Sequence, residues 1–374
     1  MNQMLSYLRP YHSSLGIGPN VPSKAIRFRV GCVLLLIALL STWFILTPAR
    51  VRHSLIHTSQ IPSNILGVTR STPRESATNA TLGFQRILAL SGGPSWRTRG
   101  LKAAAAYTGL EIDIPERPNN SPELVDAFRQ IGNGKKPALG AARAWLSHLD
   151  MLKYVIQSGL HTALILEDDV DWDLALKDQM LLVSDAVRNF TRADASEPSP
   201  YGRNWDILWL GHCGEYTVAD TERFEYEDST VLSHANYTGW AAPYITNMGE
   251  GHRLVQHGVN PICTFAYAVT RQGAQRALEW AEKGESEAFD VKLMEACRPK
   301  ILNVVTVQPE LMHHYTPPHD AGYWSEVNAG DGKGTDAGES AYESRMGGTE
   351  NIIHSARCKA LFDRTCLKPF WEQY

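Results

Sequence analysis

The stretch Ala163-Leu164-Ile165-Leu166-Glu167-Asp168-Asp169-Val170-Asp171 carries the reading of both fold and chemistry. Four apolar residues in a row read as a short strand buried on both faces. Such strands belong to sheets covered by helices on each side. This one runs straight into three consecutive acids. In open α/β sheets, ligands bind outside the carboxyl ends of the strands. Adjacent carboxylates repel one another unless a positive charge is shared among them. Hard oxygen donors suit Mg²⁺ or Mn²⁺, which keep several waters and take substrate phosphates as further ligands. The competing reading is a solvated acidic turn that caps the next helix. The buried strand before the acids favours the metal.

The flanking sequence alternates strands and helices. Upstream, residues 141–157 place Trp145, Leu149, Leu152 and Ile156 at helical spacing, and Gly159 ends the run. Residues 86–90 (RILAL) read as a strand, Gly92-Gly93-Pro94 as a turn and the Ala-rich residues 101–107 as a helix. Downstream, residues 206–210, 265–269 and 301–307 are strand candidates. Thr270 is a good N-cap for a helix through residues 274–281. The pattern predicts an α/β sheet that is mostly parallel and flanked by helices. Residues 316–350 are rich in Gly, Ser and Asp and read as a long flexible loop.

Charge divides the chain. The whole carries 36 Lys and Arg against 40 Asp and Glu. Residues 1–74 hold eight of the bases and no acid, so the remainder stands at 28 against 40, a balance of −12. So acidic a domain is a poor nucleic-acid binder. Residues 30–46 (VGCVLLLIALLSTWFIL) are uncharged and span about 25 Å as a helix. Basic residues flank them. This predicts a cytoplasmic tail at 1–29, a signal anchor at 30–46, a Ser/Thr/Pro-rich stem at 47–82 and a lumenal catalytic domain at 83–374. A cleaved signal peptide or a transit peptide fits less well, for want of a short leading region or an amphipathic pattern. The triplets at Asn79, Asn189 and Asn236 are acceptable glycosylation sequons. The five cysteines outside the span have no CxxC spacing, which excludes a zinc ribbon and leaves one or two disulfides with one thiol over.

Several blocks in order carry a resemblance: Gly140-Ala141-Ala142-Arg143-Ala144-Trp145-Leu146-Ser147-His148, then Leu166-Glu167-Asp168-Asp169-Val170, then Trp205-Asp206-Ile207-Leu208-Trp209-Leu210-Gly211, then Ala266-Tyr267-Ala268-Val269-Thr270-Arg271-Gln272-Gly273-Ala274, then Phe289-Asp290-Val291. This set resembles glycosyltransferase family 25, the lipopolysaccharide and procollagen galactosyltransferase group, over roughly residues 84–315. The resemblance implies a GT-A-like fold, a Rossmann-like sheet with metal-binding acids at a strand end. One block departs. Where the family opens with an Arg-x-Asp-Arg-like turn, Ser91-Gly92-Gly93-Pro94-Ser95-Trp96-Arg97-Thr98-Arg99 has two arginines and no Asp, the mark of a divergent member.

From these readings follow the site expectations. Glu167, Asp168 and Asp169 hold Mn²⁺ or Mg²⁺, with His313 and His314 either completing the shell or standing as ordinary loop histidines. Ser91, Arg97 and Arg99 lie near the phosphates or base of a UDP-sugar donor. Asp290 is either a helix N-cap or the general base that inverting transfer requires. His148 is expected to hydrogen-bond within the core. The expected activity moves galactose or glucose from a UDP-sugar to an acceptor hydroxyl, on a glycan or glycoprotein, in the endoplasmic reticulum or Golgi lumen. The expected topology there is a single-pass type II membrane protein. A lumenal metal-dependent phosphoesterase and an inactive sugar-nucleotide-binding protein are the rivals.

Overall fold

The computed structural model describes residues 72–217, 221–318 and 339–367, with positions 321, 323, 325 and 327 between them. The tail, the apolar run 30–46 and most of the stem lie outside the described residues. Among those described, no helix is long and apolar enough to cross a membrane. Residues 72–82, assigned to the stem by composition, pack on the domain, with Ala77 and Leu82 fully buried.

The chain runs β1 (Arg86–Leu90), α1 (Trp96–Thr108), β2 (Ile112–Asp113), α2 (Pro122–Arg129), α3 (Leu139–Gln157), β3 (Thr162–Glu167), β4 (Val170–Trp172) and α4 (Leu176–Phe190). It continues through β5 (Ile207–Gly211), β6 (Arg223–Glu227), α5 (Ala242–Ile245), β7 (His252–His257), β8 (Ala266–Thr270), α6 (Arg271–Ala281) and α7 (Phe289–Met294). It ends with β9 (Val304–Gln308), β10 (Met312–Thr316), α8 (Glu339–Ser344), β11 (Gly348–Thr349) and α9 (Ala356–Phe362).

Eight strands form one sheet in the order β2-β1-β3-β8-β5-β9-β7-β6. β1 is parallel to β2 and β3, and β5 to β9. β8 is antiparallel to both its neighbours, and β7 to both of its own. Direction is thus mostly shared, with β8 and β7 reversed. This is compatible with a Rossmann-like arrangement. A reversed strand in the middle was not foreseen, because hydrophobic pattern carries no direction.

Alternation along each central strand feeds two cores. Leu164, Leu166, Ala266, Ala268, Leu208 and Leu210 face one core, with α1 and α4. Ala163, Ile165, Tyr267, Val269, Ile207 and Trp209 face the other, with α2, α3, α6 and α7. This two-sided burial is the physical reason the strands read as unbroken apolar runs. Thr270 caps α6 as expected, its hydroxyl accepting the Gly273 N–H at 2.9 Å. Gly273 is required for a second reason: a Cβ there would lie 2.0 Å from the Asp206 carbonyl oxygen. Asp206 itself takes Arg276 and the Asn303 N–H, each at 2.7 Å, so its block is structural.

β4, β10 and β11 make a small second sheet. α8 and β11 fall inside residues 316–350, so the described end of that segment is helix and strand and not loop. Cys213 joins Cys263, Cys358 joins Cys366, and Cys297 is free and buried.

Candidate active site

β3 delivers Glu167, Asp168 and Asp169 at the middle of the sheet, where β1 and β8 flank it. The three carboxylates have different surroundings. Thr264 Oγ1 donates to Glu167 Oε1 at 3.0 Å. With its proton committed there, Thr264 Oγ1 accepts from His148 Nε2 at 3.2 Å. His148 Nδ1 in turn faces the Tyr267 hydroxyl at 3.1 Å. His148 is buried and stacked on Phe289, with ring centroids 4.5 Å apart. The expectation of a core histidine is therefore met, and its core bond ends on the site. Burial opposes the charge of Glu167, yet the His148 imidazole, its Nε2 3.6 Å from Glu167 Oε1, the Thr264 bond and the nearby His314 outweigh it, so its carboxyl lies below the usual range.

Asp168 and Asp169 go the other way. Burial raises the Asp168 carboxyl against the Ser91 hydrogen bond and the charges of Arg97 and Arg357. Burial, then repulsion from Glu167 and Asp168, pushes Asp169 up to about 7. Arg97 Nε lies 3.7 Å from Asp169 Oδ2, both side chains mostly covered. The Arg97 guanidinium also lies over the Trp96 ring, 5.1 Å from its centroid. Ser91 hydrogen-bonds Asp168 and accepts the Gly93 N–H at 3.1 Å. The structure thus brings Ser91 and Arg97 to the acids.

Arg99 does not join them. α1 starts at Trp96, so Arg97 and Arg99 are two helical positions apart and point about 200° away from each other. Arg99 is half exposed and pairs with Glu339 and Glu343 of α8. Its assignment to the donor phosphates is corrected on that ground. Asp290 does not cap α7; Ala288 holds the N-cap position. From α7, the Asp290 carboxylate accepts the Cys263 N–H at 2.8 Å, one residue from Thr264, which ties the helix to the loop that serves Glu167. His313 and His314 lie on β10, opposite Asp171 and Val170, and are strand and not loop residues. Both rings pack on Phe265, with centroids 4.8 Å away. Among the described residues no three His, Cys, Asp or Glu side chains form a metal cage. A cation here would draw on the carboxylates of Asp168 and Asp169, whose ionisation burial and the neighbouring acids oppose. Mg²⁺ and Mn²⁺ are commonly held that way, with water and substrate oxygens filling the shell.

Two cations were missed. Arg117 donates to the Ser91 carbonyl at 2.9 Å and feels Asp150 and Asp168. Arg357, on α9, is fully buried and donates to the carbonyl oxygens of Arg97, Asp168 and Val170 at 3.2, 3.0 and 3.3 Å. Burial pulls its guanidinium below its ordinary value, against Asp171, Asp169 and Asp168. Gly100 makes room for it: a Cβ there would lie 2.4 Å from Arg357 Nη1 and 2.9 Å from Cζ. Gly100→Ala is therefore expected to cost about 1–3 kcal/mol by overpacking. A thermal midpoint equal to that of the parent chain would show that the guanidinium yields.

No family model matches the chain. It is 22% identical over 161 residues to procollagen galactosyltransferase 2 of Homo sapiens. The likeness is distant, and it is to a glycosyltransferase. The match takes in 43% of this chain and 23% of that relative, so the chain covers about a quarter of the relative's length.

Proposed function

We propose that this chain is a glycosyltransferase that moves a hexose, galactose or glucose, from a UDP-sugar to an acceptor hydroxyl with inversion. The observation that carries the reading is the trio of acids at the end of β3, with Ser91, Arg97, Arg117 and Arg357 gathered around it. Mn²⁺ or Mg²⁺ held by Asp168 and Asp169 would supply the counter-charge for a diphosphate leaving group. The chain's own residues do the rest. The Tyr267–His148–Thr264 series holds Glu167 ionised and fixed in place. Arg97 and Arg117 set positive charge beside the donor side of the acids. Asp290, partly exposed and anchored by the Cys263 N–H, is the base that takes the acceptor proton. The distant galactosyltransferase relative supports the same reaction class. Two disulfides suit an oxidising lumen, and Asn79, Asn189 and Asn236 are all exposed there for glycosylation. The proposed setting is the endoplasmic reticulum or Golgi, with residues 30–46 as a type II anchor.

The full chain in detergent, given each common nucleotide-sugar with Mn²⁺ or with a chelator, tests this. Expected is UDP release from UDP-galactose or UDP-glucose that needs the cation. Release of UMP and hexose 1-phosphate instead would make the chain a hydrolase of the donor's phosphate linkage. Donor binding without any turnover would make it an inactive relative.

A further inference from the structure

The loop that leads into β8 serves the acid turn through three consecutive residues. The Cys263 N–H donates to the Asp290 carboxylate at 2.8 Å. The Thr264 hydroxyl donates to Glu167 Oε1 at 3.0 Å. The Phe265 carbonyl accepts the backbone N–H of Glu167 at 3.0 Å. β5 and the two residues after it grip the head of this run. The Trp209 indole N–H donates to the Cys263 carbonyl at 2.9 Å, and the Cys213 N–H donates to the Ile262 carbonyl at 2.9 Å. The third tie is the disulfide between Cys213 and Cys263, the one a thiol can cut.

Cys263 holds a left-handed backbone, with φ 67°. A residue with a side chain occupies that region at a cost and stays there when its surroundings hold it. With the bond to Cys213 open, Cys263 is free to return to negative φ. That rotation turns its N–H relative to its carbonyl, so the Asp290 and Trp209 bonds cannot both persist. The two disulfides also differ in access. Cys358 and Cys366 are 0% and 6% exposed, whereas Cys213 and Cys263 are half-buried. Cys297, the free thiol among the described residues, is buried, and burial pushes it up, so it offers no thiolate to exchange with the pair.

We infer that Cys213–Cys263 is a reducible strap: a dithiol that opens it releases the loop holding Glu167 and Asp290 and slows hexose transfer, while the rest of the fold stays in place. The clause on transfer rests on the transferase reading; the release of the loop does not. One thiolate of the dithiol attacks a strap sulfur, the S–S bond breaks, a mixed disulfide forms, and the departing cysteine thiolate takes up a proton. The second thiolate displaces the remaining cysteine in the same way. Two electrons and two protons pass to the strap, and the reductant ends as a cyclic disulfide.

The test treats the full chain in detergent with graded dithiothreitol and no denaturant. Alkylation with iodoacetamide and peptide mass spectrometry are expected to find Cys213 and Cys263 modified at concentrations that leave Cys358 and Cys366 joined. Hydrogen exchange on the reduced chain, before alkylation, is expected to quicken at least about ten-fold at Cys263 and at the Glu167 amide, and to stay within about two-fold in α3 and β9. Reoxidation with glutathione disulfide restores the slow exchange. Cys213→Ser/Cys263→Ser is expected to exchange like the reduced chain and to ignore dithiothreitol. Its UDP release from UDP-galactose or UDP-glucose should fall at least about ten-fold in kcat. The donor KM should hold within about three-fold, since Ser91 and Arg97 sit on other elements. Opening of Cys358–Cys366 first, or unchanged exchange at Glu167 once the strap is cut, overturns the inference. So does a loss of protection shared by α3 and β9, or a kcat indifferent to the cut. An oxidised chain that releases no UDP defeats the transferase reading instead, and the exchange experiment still decides the strap.

Discussion

Asp169→Asn is expected to abolish UDP release, by at least about 100-fold, and at the same time to raise the thermal midpoint at pH 8. The two effects have one cause. Burial, Glu167 and Asp168 push the Asp169 carboxyl from its ordinary 3.8 up to about 7. Ionising it in the folded chain therefore costs up to about 4 kcal/mol more than in water. The cost is absent below about pH 4, where folded and unfolded chains both hold the proton. It builds as pH rises and is complete above about pH 7. An amide has no charge to lose, so the variant gains about 2–4 kcal/mol at pH 8, or roughly 4–8 °C, and almost nothing at about pH 3.5. Mn²⁺ is expected to raise the midpoint of the parent chain and leave that of Asp169→Asn in place. Scanning calorimetry at the two pH values, with and without Mn²⁺, makes the comparison. A variant that is destabilised at pH 8, or that keeps its turnover, would remove Asp169 from the site.

The second large effect falls two residues on, where Asp171→Ala is expected to cost about 3–5 kcal/mol. Asp171 is fully buried. Its Oδ1 accepts the Trp172 N–H at 2.8 Å and the Arg357 N–H at 3.0 Å. Its Oδ2 accepts the Thr349 hydroxyl at 2.6 Å and the Ser355 hydroxyl. One carboxylate thus ties β4 to β11 and α9. Removing it leaves four buried donors unmet and takes a counter-charge from Arg357, itself fully buried. The midpoint should fall by roughly 6–10 °C. Asp171→Asn keeps the shape and one acceptor, and should lose about half as much. A fall of under about 2 °C for the alanine variant would show that the small sheet holds without this hub.

What the sequence disclosed and what it hid follow from the physics of each signal. Ala163 to Leu166 was legible because burial on both faces leaves no polar position to blur the pattern. α3 was legible for its length and spacing. The acids were legible because they stand directly at a strand end. The reversal of β8 was hidden, since alternation is the same in either direction. β4 and β10 were hidden because Val-Asp-Trp and Met-His-His-Tyr-Thr mix polar and apolar residues over very short spans. Arg97 and Arg99 looked equivalent while their segment was read as a turn; a helix from Trp96 separates them. Arg357 looked like any charged residue on a terminal helix. Only Gly100, whose missing side chain leaves it space, hinted at a tight approach, and a lone glycine in an Ala-rich helix does not say to what.

Asp171 and the backbone N–H of Arg357 it accepts are 186 residues apart in the chain. On a ribosome adding about 5–20 residues per second, the carboxylate emerges roughly ten to forty seconds before its partner helix. Through that interval the nascent polypeptide holds a crowded anionic knot with no guanidinium beneath it. A complete acid turn then becomes available only once residue 357 has left the ribosome, so a product that stalls before that point carries the acids but not the means to keep them in register.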